Sequence, residues 1–236
     1  SLNIGFDALE ISDVNLINNL KNNKLESNLL WKADFDSTDY SGDISFNTQV
    51  DSSLKILSKI DGQSILYMAD TPWRFRESNN ITYHNKEFII TDLILEHQDQ
   101  TLSLDLLYQL QNKQELDAEL HQFNIAYLNP YIQEFNTSIS GLVNGDLKIS
   151  ELNKPTRFFT GDLSIDSTKL NDIYLGNTLI NSKFNSENNL NSIDIKVVRS
   201  GFTPVKLIQF AGFHFRGLRH GHSLRRIVRF PNSSDV

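Results

Sequence analysis

Cysteine is absent from the 236 residues, and methionine occurs once. Without a thiol the chain has no disulfide framework, no thiolate metal site and no cysteine nucleophile. It lacks an initiator methionine, a charged-then-apolar leader and any apolar run approaching the length of a membrane span. We therefore expect a piece of a longer protein. At this length the chain can bury a sizeable core, and one elongated unit is the expected arrangement.

The familiar catalytic and ligand signatures are also missing. The sequence has no Gly-x-Ser-x-Gly elbow and no phosphate-cradling loop ending in Lys-Ser/Thr. Asp34-Phe35-Asp36 lacks the spaced oxygen ligands and closing glutamate of a calcium loop. His214, His220 and His222 have no neighbouring carboxylate or thiol cluster. The expectation is a chain with no catalytic residues, no metal and no cofactor, so function has to be argued from a surface.

Charge is divided unevenly. Residues 200–236 hold Lys206, Arg216, Arg219, Arg225, Arg226 and Arg229 against Asp235 alone, a net +5, which leaves −12 of the overall −7 on residues 1–199. An acidic body speaks against nucleic acid as its partner, because phosphate neutralisation needs clustered Lys and Arg. The basic end departs from the rest in composition and gains Phe, Gly and His. It reads as a separate tail or as a non-native end, so the expected division is 1–199 and 200–236.

What the chain does have is period-two alternation. Ile139, Gly141, Val143, Gly145, Leu147 and Ile149 fall on one side of an extended chain, with Ser140, Asn144, Asp146 and Lys148 on the other and Leu142 as the exception. Phe159–Ile165, Ile193–Val197 and Leu102–Tyr108 repeat the pattern. A phrase Gly-Asp-aliphatic-polar-hydrophobic occurs at Gly42, Gly145 and Gly161, and is expected to mark a turn and the entrance of a strand. Asn79-Asn80, Gln111-Asn112-Lys113, Glu151–Pro155 and Glu187-Asn188-Asn189 read as turns at hairpin spacing. Helical spacing is short and local, at Val14/Ile17/Leu20, at Leu54/Leu57 and over Leu128–Phe135. An antiparallel meander with one apolar face follows, and a doubly wound parallel fold does not.

Residues 123–176 carry a more particular order of phrases. Phe123-Asn124-Ile125 leads to Leu128-Asn129-Pro130-Tyr131, then to Ile139–Ile149, Pro155, Gly161–Ile165 and Leu170 through Ile173-Tyr174-Leu175-Gly176. This passage resembles the TamB family, the translocation and assembly module proteins of Gram-negative envelopes, relatives of the AsmA-like lipid-bridge proteins. Thr71-Pro72-Trp73, Asn80–Tyr83 and Phe88–Leu93 extend the likeness to about residues 40–198. The chain departs from it near Asp105–Leu107, where a glycine is usual.

The resemblance implies an all-β fold, an elongated, curved antiparallel sheet forming a U-shaped apolar groove. It implies phospholipid acyl chains as cargo between the inner and outer membranes, and support of outer-membrane protein biogenesis beside an Omp85-type assembly protein. The location it implies is the periplasm, within an inner-membrane-anchored chain whose remainder continues the groove. Val143, Leu147, Ile149, Phe159, Leu163, Ile165, Ile193, Ile195 and Val197 are the expected groove lining. A closed β-sandwich or β-solenoid that binds glycans or mediates adhesion is the rival reading, with the same side chains forming an ordinary core.

Overall fold

The computed structural model describes residues 4–6, 9–21, 24–35, 38–110, 112–132, 136–152, 158–185, 190–199 and 205–211. Sixteen strands account for most of them. The first half holds β1 Ile4–Phe6, β2 Leu9–Lys21, β3 Lys24–Phe35, β4 Thr38–Val50, β5 Ile56–Ile60, β6 Ile65–Met68, β7 Thr71–Phe75 and β8 Asn80–His84. The second holds β9 Glu87–His97, β10 Gln100–Gln109, β11 Gln114–Asn124, β12 Ile139–Ser150, β13 Phe158–Leu170, β14 Ile173–Asn185, β15 Leu190–Val198 and β16 Val205–Ala211. A 3-10 turn, Ile125–Leu128, and one α-turn, α1 Asn129–Ile132, join β11 to β12.

All sixteen strands belong to one sheet, and every pairing among them is antiparallel. The order follows the chain except between β4 and β9, where β5–β8 and β6–β7 lie side by side as two short routes across the sheet. A sandwich needs a second sheet and a solenoid needs parallel coils; the described strands supply neither. β16 pairs with β15, so the sheet runs past the compositional boundary at residue 200. The histidines and arginines of residues 212–236 lie outside the described residues.

Two local expectations are corrected. The Gly-Asp phrases do not open strands. Gly42, Gly145 and Gly161 lie well inside β4, β12 and β13, on the apolar face, and their aspartates lie on the polar face. Trp31 roofs Gly42, and a Cβ on Gly145 would collide with the Asp162 carbonyl oxygen. These glycines therefore serve close approach between strands. Val14, Ile17 and Leu20 belong to β2, and Leu57 belongs to β5, with Leu54 in the turn before it. The turn expected at Asn79-Asn80 falls at 77–78, and Asn79, fully buried, closes it.

The long strands are interrupted at regular places. β5–β6 and β7–β8 behave as two broken strands, with chain excursions at 61–64 and 76–79. Asn79 closes that gap, accepting from Ile60 N–H at 2.7 Å and donating to the carbonyls of Ile60 at 2.9 Å and Arg76 at 2.8 Å. Elsewhere a bulged residue with positive φ is served by a side chain from the next strand. Asp92 N–H donates to Asp105 at 2.7 Å, Gln122 N–H to Asn144 at 2.8 Å and Ser167 N–H to Asn177 at 3.0 Å. Bulges increase local twist and bend the bulged strand.

Candidate functional site

Register arranges the apolar side chains in rows that run across the strands. The deepest row is Phe123–Val143–Ile165–Thr178–Val197. Beside it run Phe75–Leu95–Leu102–Leu120–Gly145–Leu163–Ile180–Ile195, and then Leu93–Leu104–Ala118–Leu147–Gly161–Ser182–Ile193. The next is Ile81–Ile90–Leu106–Leu116–Ile149–Phe159. The outermost is Val50–Ile56–Tyr83–Phe88–Tyr108–Gln114. Four row steps of two residues each, at about 3.4 Å per residue, make this face roughly 27 Å from side to side.

The nine residues named from sequence all lie on this face, and their register brings them together. Val143 stands opposite Ile165, Ile149 opposite Phe159 and Leu147 opposite Gly161, while Ile180 bridges Leu163 to Ile195. Their accessibility differs. Val143 and Ile165 are only 3% and 2% exposed, whereas Leu147, Ile149, Phe159, Leu163, Ile193, Ile195 and Val197 are half-buried. Val143 and Ile165 are therefore part of a sealed seam, a correction to their expected place in an accessible lining.

Aromatic packing makes that seam. Trp73 is 0% exposed, and its ring lies 5.7 Å from Phe123 and 5.8 Å from Tyr127, which also meet each other at 5.6 Å. β7 and β11 are three steps apart in the sheet, roughly 14 Å if flat, so the rings lean together over β9 and β10. Tyr127 comes from the 3-10 turn, held by Asn124 accepting from Ala126 N–H at 3.1 Å and by Asn129 accepting from Ile139 N–H at 2.9 Å. The Trp73 indole N–H meets no acceptor among the described residues, so the ring acts here by filling volume. Ala33 and Tyr40, packed with Trp31 and Met68, continue the sealed edge toward β3 and β4.

The opposite edge of the same face is open across β2–β10. Leu20 is 74% exposed, Leu54 78% and Val50 50%, with Leu16, Tyr83 and Leu110 exposed as well. Across β4–β9 burial thus falls from the Trp73 side toward the connections at 51–55 and 85–86, while Leu170 and Ile173, beyond the 3-10 turn, are exposed as well. Sequence reasoning missed both edges. The Thr71-Pro72-Trp73 phrase marked the place of the seam without showing its packing, and the exposed side chains of β2 were hidden by an apparent helical stripe.

The other face is polar. Asn28 donates to Asp43 at 2.7 Å and to Ser45 at 3.1 Å, and Asn181 donates to Asp162. Lys148 bridges Glu115 at 2.9 Å and Asp117 at 3.2 Å, and Lys113 reaches Glu115 at 2.8 Å. Burial pushes the Glu115 carboxyl up, but hydrogen bonds from Lys113 and Lys148 outweigh it and hold the group below its ordinary range. The hydrogen bond to Glu115, followed by that to Asp117 and partly opposed by burial, raises Lys148. Glu119, Asp146, Asp162, Asn181 and Asp194 follow one another across this face, and no group of acids or histidines among the described residues is arranged to hold a metal ion.

The inner rows therefore present hydrocarbon, three tyrosine or phenylalanine rings near the open edge, and a closed aromatic floor. Such a surface holds an apolar guest by burial, not by directed polar contacts. No family model matches the chain, and neither a curated protein nor a solved structure matches it.

Proposed function

We propose that this chain is a non-enzymatic, TamB-like carrier segment whose apolar sheet face takes up phospholipid acyl chains in the Gram-negative envelope. The observation that carries the reading is the set of apolar rows continuous from strand to strand, with no second sheet over them among the described residues. A contiguous apolar face of this extent is costly in water and calls for an apolar partner. Burying a methylene is worth about 0.8 kcal/mol, so a dozen methylenes supply on the order of 10 kcal/mol before association costs. Adjacent strands offer nearly equal surroundings, which suits sliding along the rows. In this reading the segment lies in the periplasm, continues into the remainder of a long inner-membrane-anchored chain, and meets an Omp85-type partner in outer-membrane biogenesis.

Leu163 is the place to test it, since it sits half-buried in the middle of the rows with Gly145 on one side and Ile180 on the other. Leu163→Asp puts a carboxylate where hydrocarbon should pass, and the cost of desolvating it is several kcal/mol. We expect photo-crosslinking to acyl chains to fall at least ten-fold, while Ser164→Asp on the polar face leaves it within two-fold. Undiminished crosslinking in a folded Leu163→Asp chain contradicts the proposal.

A further inference from the structure

Three hydroxyls on the apolar face of β13 and β14 are buried: Thr168 is 3% exposed, Thr178 6% and Ser182 7%. Two of them close onto their own sheet. Ser182 donates to the Phe159 carbonyl at 2.8 Å and Thr168 to the Ile165 carbonyl at 3.1 Å. The Thr178 hydroxyl meets no hydrogen-bond partner among the described residues. A hydroxyl buried in this way is costly, and valine, of the same shape, would avoid the cost.

Register fixes where this hydroxyl stands. Thr178 lies opposite Ile165 on one side and Val197 on the other, the one polar member of the row Phe123–Val143–Ile165–Thr178–Val197. The burial of the row changes here. Phe123, Val143 and Ile165 are sealed, while Val197, next in the row, and Ile180, two residues on along β14, are half-buried. No hydrogen bond holds the Thr178 side chain in place, so it can turn about χ1 toward a group that lies over Ile180 and Val197.

The two directions along β14 differ. One way come Gly176, which carries no side chain, and the exposed Leu170 and Ile173 at the end of the hairpin. The other way come Ile180, Ser182 and Phe184, beside Leu163 and Gly161 of β13. From Thr178 to Phe184 is six residues, roughly 20 Å, enough for the roughly 15 Å of hydrocarbon in one leaflet. An acyl chain laid this way has hydrocarbon beneath it and Thr178 at its head. The polar group at the head of a phospholipid acyl chain is an ester carbonyl, which accepts hydrogen bonds and cannot donate them, and a threonine hydroxyl supplies the donor.

We infer that Thr178 donates a hydrogen bond to the ester carbonyl of the guest lipid and so sets where along β14 its acyl chain begins. This rests on the carrier reading above and adds one directed contact to a face that otherwise works by burial. A single hydrogen bond of this kind favours an ester-linked lipid over its ether-linked counterpart by about five-fold.

The test uses the full chain and donor vesicles of equimolar dioleoylphosphatidylcholine and its dioleyl ether analogue, which share headgroup and chain length and differ in the carbonyls. After flotation removes the vesicles and anything adhering to them, mass analysis counts the lipids that leave with the protein. We expect the ester to exceed the ether by about five-fold on the native chain and on Thr178→Ser, and the ratio to approach one on Thr178→Val and Thr178→Ala. Thr160→Val, on the polar face of β13 opposite Lys148, leaves the native ratio unchanged. Melts of the lipid-free chain separate this role from a structural one, since Thr178→Val exchanges an unsatisfied hydroxyl for a methyl and holds or raises Tm. Equal amounts of the two lipids on the native chain, a preference that survives in Thr178→Val and Thr178→Ala, or a Thr178→Val chain that melts lower by more than about 4 °C overturns the inference and leaves the carrier reading standing. A native chain that carries neither lipid overturns the carrier reading itself.

Discussion

At the residue scale, Asn79 shows how much one side chain does in this sheet. Two broken strands meet at its position, and its amide replaces the ladder bonds that continuous strands would have made. Because it is fully buried, removing the amide leaves the Ile60 and Arg76 backbone groups without partners. Asn79→Ala should cost about 3 kcal/mol and lower Tm by roughly 10 °C in a chain of this size. Asn80→Ala, one residue on and exposed, should change Tm by less than about 2 °C. Thermal melts followed by circular dichroism decide it, and similar shifts for the two variants would refute the role given to Asn79.

At the element scale, the bulges and their side-chain clasps shape the strands. Asn144 accepts from both the backbone N–H and the side-chain amide of Gln122, at 2.8 and 3.2 Å. Its truncation leaves a part-buried donor stranded at the point where β11 bends. In urea unfolding, Asn144→Ala should lose about 1–2 kcal/mol; a loss below about 0.5 kcal/mol would mean that the bend holds without its clasp.

The same scale shows what was legible in the sequence. Alternation over 139–149 and 159–165 identified β12 and β13 because one face of each is apolar and the other polar, with few exceptions. Ile17 and Leu20 lie beyond the bulge between Ser12 and Asn15 and on opposite faces of β2, so an apolar residue on the polar face is what imitates a helical stripe. Gly-Asp reads as a turn by composition. Only the neighbouring strand, whose backbone crowds the glycine, explains its place inside a strand. Near Asp105, where the resemblance leads one to expect a glycine, β9 instead bulges at Asp92 and Asp105 satisfies it.

At the scale of the whole molecule, the account depends on one face being closed along one edge and open along the other. Sequence alternation put all nine named residues on that face, but it carries no information on what lies above it. Burial of Val143 and Ile165 depends on Trp73, Phe123 and Tyr127, which converge from strands and a turn far apart in the chain. The exposed row near Tyr83 and Val50 depends on where the hairpins end. Both depend on the arrangement of many strands together.

The absence of cysteine gives a direct way to measure that difference, since any thiol introduced is the only one present. Single variants Ile149→Cys and Val143→Cys place it on the same strand and the same face, at the accessible and sealed levels respectively. The measurement is the rate of labelling by a small apolar maleimide in the folded chain, with and without phospholipid. Ile149→Cys should react at least ten times faster than Val143→Cys and be protected when phospholipid is added. Equal, slow labelling at both positions, unaffected by lipid, would show the face closed and contradict the account.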